Sequence, residues 1–479
     1  MKLPEFWKTG LALLILAGLG SYVWFVERKH EPKPEGQKEK VTVLAVDKAK
    51  AKELSLAAAG GDTIRLVKEG AGWKVTAPFT SPADTSAVES MLTSLEKLEA
   101  DEVVVEQAPN LAEFGLDKPS RTVTAVVEGA PAPLSVQFGA KSPDGSSVYA
   151  RTGTASKVYL VPSWVEGTFD KKPFDLRDRD LLHVKRDDVR QLEVAGPEGS
   201  YALARTDAGE WAFTKPIATR AGRWSVDGLL GTIENLRMDS VAAETATDLK
   251  PFGLDKPLRT VSLVLKDGST RTLEIGAAAP DPTATPSPTP TPSPAKKGEK
   301  PNPPEKPKPT KYYARQAATG LVAVVPATLF DDLAKGMGEL RAKRLLEVAT
   351  YETEGFEVVA GGAKKTYVKS TTKDKDGFDK TQWKRTAPDA KDLETTKVED
   401  ALFKMGGVEV SEFVDQPQAP AAYGLDAPVL KVTVKAKGES WIEVGKKDGA
   451  VYARRNGDAA VLKLDPAKAE ELLKAFAEL

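Results

Sequence analysis

The sequence predicts an α+β protein: three tandem repeats of an antiparallel-sheet-plus-helix module behind one N-terminal transmembrane helix. Three observations point there. A Trp-x-x-Thr-x-Pro string opens at Trp73, Trp211 and Trp383. An aromatic-Gly-Leu-Asp-x-Pro string follows each one, at Phe114 to Pro119, Phe252 to Pro257 and Tyr423 to Pro428. The tryptophan and the turn glycine (Gly115, Gly253, Gly424) lie 42, 42 and 41 residues apart, a spacing too regular for chance. The third observation is a single uncharged run, Thr9 to Val26, near the start of the chain.

That run defines the first elements. As a helix, its 18 residues cover about 27 Å, enough for a thin bilayer core. Trp7 at one end and Tyr22, Trp24 and Phe25 at the other suit the headgroup level. Bulky residues stand where a leader-cleavage site needs small ones, and a chain without cysteine has no lipoprotein anchor. The run is therefore expected to stay as a single-pass anchor. Residues 1–8, with Lys2 and Lys8, form a cytoplasmic stub, and residues 27–40 a charged stalk. Arg28, Lys29, Lys33, Lys38 and Lys40 in that stalk oppose export on a raw basic count, whereas the short stub is the usual form of a signal anchor. The expected location is the bacterial inner membrane, with the C-terminal modules in the periplasm.

The first module spans residues 41–183. Alternating stretches at Thr42 to Val46, Thr63 to Val67 and Trp73 to Val75 predict strands. A helix follows, with Ser86-x-x-Glu89 as a capping box and Val88, Leu92, Leu95 and Leu98 as its buried stripe. The stripe returns as Val226, Leu230, Ile233 and Leu236, and again as Val398, Leu402, Met405 and Val408. Further strands are predicted at Arg121 to Val127, Leu134 to Phe138, Ser147 to Arg151 and Lys157 to Val161. Each module should hold six or seven short strands, one main helix and a terminal helix. The apolar tails Leu176-Arg177…Leu181-Leu182 and Leu340-Arg341…Leu345-Leu346 close the first two copies.

The second module spans residues 184–348 and the third residues 349–479. Between Pro280 and Thr310 lie twelve of the chain's 34 prolines, a composition that cannot build a core. Gly115 and Gly253 are 138 residues apart, Gly253 and Gly424 171. Removing the 31-residue insert restores the period at 140. Segment 280–310 is thus expected to be a disordered loop projecting from the second copy.

The chemistry is sparse. With 68 basic and 69 acidic side chains the net charge is −1, which shows no footprint of a nucleic-acid binder. No cysteine means no disulfide, no thiol nucleophile and no thiolate metal site. The two histidines, His30 and His183, stand far apart, which argues against a His-based triad or zinc site. No phosphate loop and no Gly-x-Ser-x-Gly elbow occurs. No catalytic, metal or cofactor residue is therefore assigned, and no cofactor is expected. Trp73, Trp211 and Trp383 are read as core, with stacking on sugars as the rival. Asp117, Asp255 and Asp426 are read as turn residues that bond their own backbone, beside glycines that supply an unusual φ. The repeated Arg151, Arg315 and Arg454, each in a Tyr-Ala-Arg triplet, are expected to make contacts inside their own module.

The paired motifs and the N-terminal anchor resemble the bacterial domain-of-unknown-function 4340 family, over nearly everything from Val41 to Leu479 outside the insert. The resemblance implies a membrane-anchored envelope protein without assigned activity, found alongside ABC transporter components of the gliding-motility type. It establishes no functional residues. The expected function is that of a non-enzymatic accessory or scaffold for a membrane complex. Its partners would be the inner membrane, through residues 9–26, and membrane proteins such as ABC transporter subunits. The alternatives are a repeat protein that binds peptidoglycan or polysaccharide, and a carbohydrate hydrolase working with a carboxylate pair.

Overall fold

The computed structural model describes residues 40–281, 308–346, 350–373, 379–436 and 438–479. The expected transmembrane helix at 9–26, its stub and nearly all of the stalk lie outside the described residues, as does 282–307 of the proline-rich insert. Among the described residues no helix is long and apolar enough to cross a membrane. The chain divides into two compact units, one ending at Asp178 and one beginning at Arg179. The first holds the first module, and the second holds the other two.

In the first module the strands are β1 (Val41–Leu44), β2 (Ala51–Ala58), β3 (Thr63–Glu69), β4 (Gly72–Ala77) and β5 (Ser81–Pro82). Helix α1 (Thr85–Glu96) follows, then β6 (Leu98–Ala100), β7 (Glu102–Val105), β8 (Arg121–Val127), β9 (Leu134–Lys141), β10 (Ser147–Thr152) and β11 (Val158–Pro162). A short helix α2 (Ser163–Thr168) ends the series. Nine of the strands form one antiparallel sheet in the order β5-β4-β3-β2-β8-β9-β10-β11-β7, while β1 pairs with β6 alone. The other two modules repeat the same nine-strand order.

The expectation of six or seven strands per module is corrected to nine in the main sheet. The largest omission is β2, which pairs with both β3 and β8 and so lies at the sheet's centre. Its sequence, AKELSLAA, is rich in alanine and charged residues that favour helix. Burial of Ala51, Leu54 and Leu56 on one face and pairing on both edges override that local preference. The omitted β5 and β7 are short edge strands with too few residues to show a period.

The main helix packs on the sheet as expected. Val88, Met91, Leu92 and Leu95 of α1 enter the core, each contributing about 1.5–3 kcal/mol of apolar burial. Leu98 is buried too, but from β6 rather than the helix. The expected capping box is replaced by another cap: Asp84 stands at the N-cap and accepts from the Ala87 N–H at 3.0 Å. Asp84 wins because it has the extended backbone that an N-cap requires, whereas Ser86 already lies inside the first turn.

The Leu-Leu tails also act differently from expectation. Leu345 and Leu346 sit in the core of the third module rather than closing the second. Leu181 and Leu182 are buried likewise, beyond the boundary that ends the first unit.

Candidate functional site

The tryptophans are structural in position. Trp73, Trp211 and Trp383 are 3%, 4% and 1% exposed, so none offers a ring face to a sugar. The Trp73 indole N–H donates to Glu89 on α1 at 3.1 Å, tying β4 to the helix. Trp211 and Trp383 keep the buried place but find no acceptor for that N–H. Arg205 lies over the Trp211 ring at 4.7 Å, and Phe356 meets Trp383 edge-on at 5.4 Å. The proline that closes each Trp-x-x-Thr-x-Pro string follows a cis peptide bond.

Each Gly-Leu-Asp-x-Pro string is a close backbone crossing. Gly115, Gly253 and Gly424 have φ of +64°, +64° and +67° and end a short 3-10 turn, as the sequence predicts. The aromatic residue just before each glycine meets the tyrosine of the Tyr-Ala-Arg triplet edge-on. Phe114–Tyr149, Phe252–Tyr313 and Tyr423–Tyr452 all stand 5.1 Å apart. A second repeated glycine, missed in the sequence, makes this possible. A Cβ on Gly139 would collide with the Phe114 carbonyl, one on Gly276 with the Phe252 carbonyl, and one on Gly445 with the Gly424 backbone. Its sequence signal is a lone glycine inside each strand pattern.

The aspartates depart from expectation. Asp117, Asp255 and Asp426 are exposed, and the turn is held by backbone bonds such as Leu116 N–H to the Leu111 carbonyl at 3.0 Å. Gly supplies the conformation and the backbone closes the ring, which leaves the carboxylate in water. The repeated arginines do pair inside their modules: Arg151 with Gln137 at 2.7 Å, Arg315 with Glu274 at 2.6 Å and Arg454 with Glu443 at 2.5 Å. Burial works to raise the Glu443 carboxyl, but hydrogen bonds from Lys431 and Arg454 overcome it and hold that group below its ordinary value.

Chemistry not repeated in every copy gathers at two places in the second unit. One is the junction of its two modules. The Asp458 carboxylate, fully buried, accepts from the Thr219 hydroxyl and, at 3.1 Å, from the Arg220 N–H. It also pairs with Arg455, which is 1% exposed and donates to the carbonyls of Ala342, Arg344 and Leu345. Nearby, Arg341 pairs with Asp415 at 2.6 Å and covers the Phe413 ring at 4.3 Å. The Ala459 N–H donates to the Ala218 carbonyl at 2.9 Å. This network holds one module on the other with buried polar groups whose partners come from both.

The other place is a cavity of about 240 Å³ in the second module, lined by Tyr201, Arg259 and Glu198 among mostly apolar neighbours. Burial pushes the Tyr201 hydroxyl up, so it keeps its proton. A larger depression of about 340 Å³ in the third module runs past Trp441, Arg454 and Asn456 to Asp458. None of Asp458, Thr219, Tyr201 or Arg259 stands out in the sequence, because each acts with residues far away in the chain.

Among known protein families, the model described as "Domain of unknown function (DUF4340)" matches the chain at residues 73–221, 211–285, 305–428 and 383–479. No curated protein matches it.

Proposed function

The chain belongs to the DUF4340 family, and from that premise we propose that it is a non-catalytic, membrane-anchored scaffold. Its second and third modules act as one rigid body that supports a membrane complex. The observation that carries this reading is the buried Asp458 network between those modules. Separating the modules would strip Asp458 of the Thr219 and Arg220 donors and Arg455 of the Ala342 and Arg344 carbonyls, and each buried polar group left unpaired costs about 1–3 kcal/mol, so the two modules resist separation. A protein whose role is to hold others in place needs such stiffness.

The repeated residues support the same reading. The tryptophans fill cores, the glycines permit close crossings and the arginines brace neighbouring strands, so what recurs builds the module. In this proposal residues 9–26 hold the protein in the bacterial inner membrane, the modules lie in the periplasm, and the partner is an ABC transporter subunit or a similar membrane protein. The test is a mild-detergent pull-down of the tagged full-length protein from its native membranes. Membrane-protein partners should co-purify and be lost when Thr9 to Val26 is replaced by an unrelated membrane helix. A protein recovered alone would overturn the scaffold reading.

A further inference from the structure

Helix α2 and the residue that ends it seat themselves on the first module through Val165 and Phe169, which are 4% and 0% exposed. Trp164 of the same helix is 67% exposed, the most exposed large apolar side chain among the described residues of that module. Val104, on the edge strand β7 beside β11, follows at 38%. A tryptophan combines a broad apolar ring with one N–H donor, and that combination suits the boundary between lipid and water.

The module itself does not require this side chain. The second residue of the terminal helix is Trp164 in the first copy, Thr328 in the second (Ala327–Leu333) and Ala467 in the third (Pro466–Ala477). Only the copy that follows residues 9–26 directly in the chain carries an aromatic there. The described chain also begins close by. Val41 of β1 pairs with Ala100, and the next N–H, that of Asp101, donates to the Leu160 carbonyl at 2.9 Å. Leu160 stands four residues before Trp164, so the chain enters the module near the start of α2.

We propose, resting on the anchor reading of residues 9–26, that the first module lies on the lipid bilayer with Trp164 in the headgroup layer. The chain that enters beside α2 comes from the bilayer in that reading, which makes lipid the surface nearest to Trp164. Residues 27–39 are 13 in number and reach at most about 45 Å when fully extended, so the module stays near the membrane. The tether makes the contact effectively intramolecular. One aromatic side chain then suffices where a free module would need a larger apolar face.

Gly167 gives the test its probe. It is exposed, lies three residues beyond Trp164 on the helix, and has no atom within 4 Å of an added Cβ. The full-length Gly167→Cys protein, spin-labelled there, is reconstituted into vesicles of phosphatidylcholine and phosphatidylglycerol. Collisions of the label with lipid-soluble oxygen are then compared with collisions with a water-soluble nickel chelate. Oxygen should dominate, and that preference should be lost when Trp164→Ser is added. The added change should leave the melting temperature as it was, because the side chain it removes is exposed. Both proteins should float with the vesicles after a high-salt wash, held by residues 9–26. Flotation with the label in water while Trp164 is present, or a preference that survives Trp164→Ser, would overturn the proposal and leave the anchor standing. Failure to float would overturn the anchor reading, and this proposal with it. Spin–spin broadening that disappears on dilution with unlabelled protein would assign the face to a second copy instead.

Discussion

The carboxylate of Asp458, in the third module, accepts the backbone N–H of Arg220, in the second, at 3.1 Å. The same carboxylate takes the Thr219 hydroxyl and neutralises Arg455. One buried anion therefore joins side chain and backbone of one module to a buried cation of the other. Burial disfavours the charged form of Arg455, and the Asp458 carboxylate opposes that penalty.

Asp458→Asn keeps the shape but removes the charge, and leaves Arg455 buried and uncompensated. A loss of about 3–5 kcal/mol is expected in chemical denaturation of the full-length protein. Thr219→Val, which removes one neutral donor, should cost only about 1–2 kcal/mol. Equal, small effects of the two would mean that the junction contributes little.

Gly115→Ala tests the turn. The left-handed φ alone costs about 1–2 kcal/mol, and a Cβ there would sit 2.8 Å from the Ala140 nitrogen. Gly60 has φ +70° but open space around it, so Gly60→Ala isolates the conformational part. Thermal melts should place Gly115→Ala clearly below Gly60→Ala. The reverse order would show that the crossing is loose.

The proline-rich insert enters and leaves at one point. The Ala279 N–H donates to the Lys311 carbonyl at 2.9 Å, and the Thr310 hydroxyl to Asp281 at 2.7 Å. Its counterparts in the first and third copies, 142–146 and 448–449, are short strand connections. Replacing residues 282–307 by a short Gly-containing turn should leave stability unchanged or raise it by up to about 2 kcal/mol, since each halving of loop length is worth only about 0.6 kcal/mol. Loss of folded protein would show that the insert belongs to the module's structure.

Glu443 gives a pH signature. Its carboxyl is held below the ordinary 4.5, so folding favours the charged form. That stabilisation is fully present above about pH 4.5 and is lost as the pH falls through the lowered value. At pH 7 Glu443→Gln should melt below the parent protein, and the gap should close on acidification. A gap that stays constant down to acid pH would remove Glu443 from the linkage.

What was legible in the sequence was local and repeated. The turn glycines, the tryptophans and the α1 stripe show themselves three times over, and each is held by neighbours a few residues or one strand away. The central strand β2 was not legible, because its alanines and charges read as helix until both edges are paired. Asp117 was misread because the backbone alone closes its turn. The junction left no sequence signal at all: Thr219 and Asp458 are 239 residues apart and meet only once in the chain. Tyr201 and Arg259 were hidden for the same reason.

The absence of cysteine makes one measurement direct. Exposed Thr270 in the second module and exposed Lys474 in the third can each be replaced by a spin-labelled cysteine, and the distance between them read by pulsed electron paramagnetic resonance. A single narrow distance distribution is expected, broadening when Asp458 is replaced by Asn. A broad distribution in the otherwise unaltered protein would mean that the two modules move independently, and would contradict the rigid scaffold.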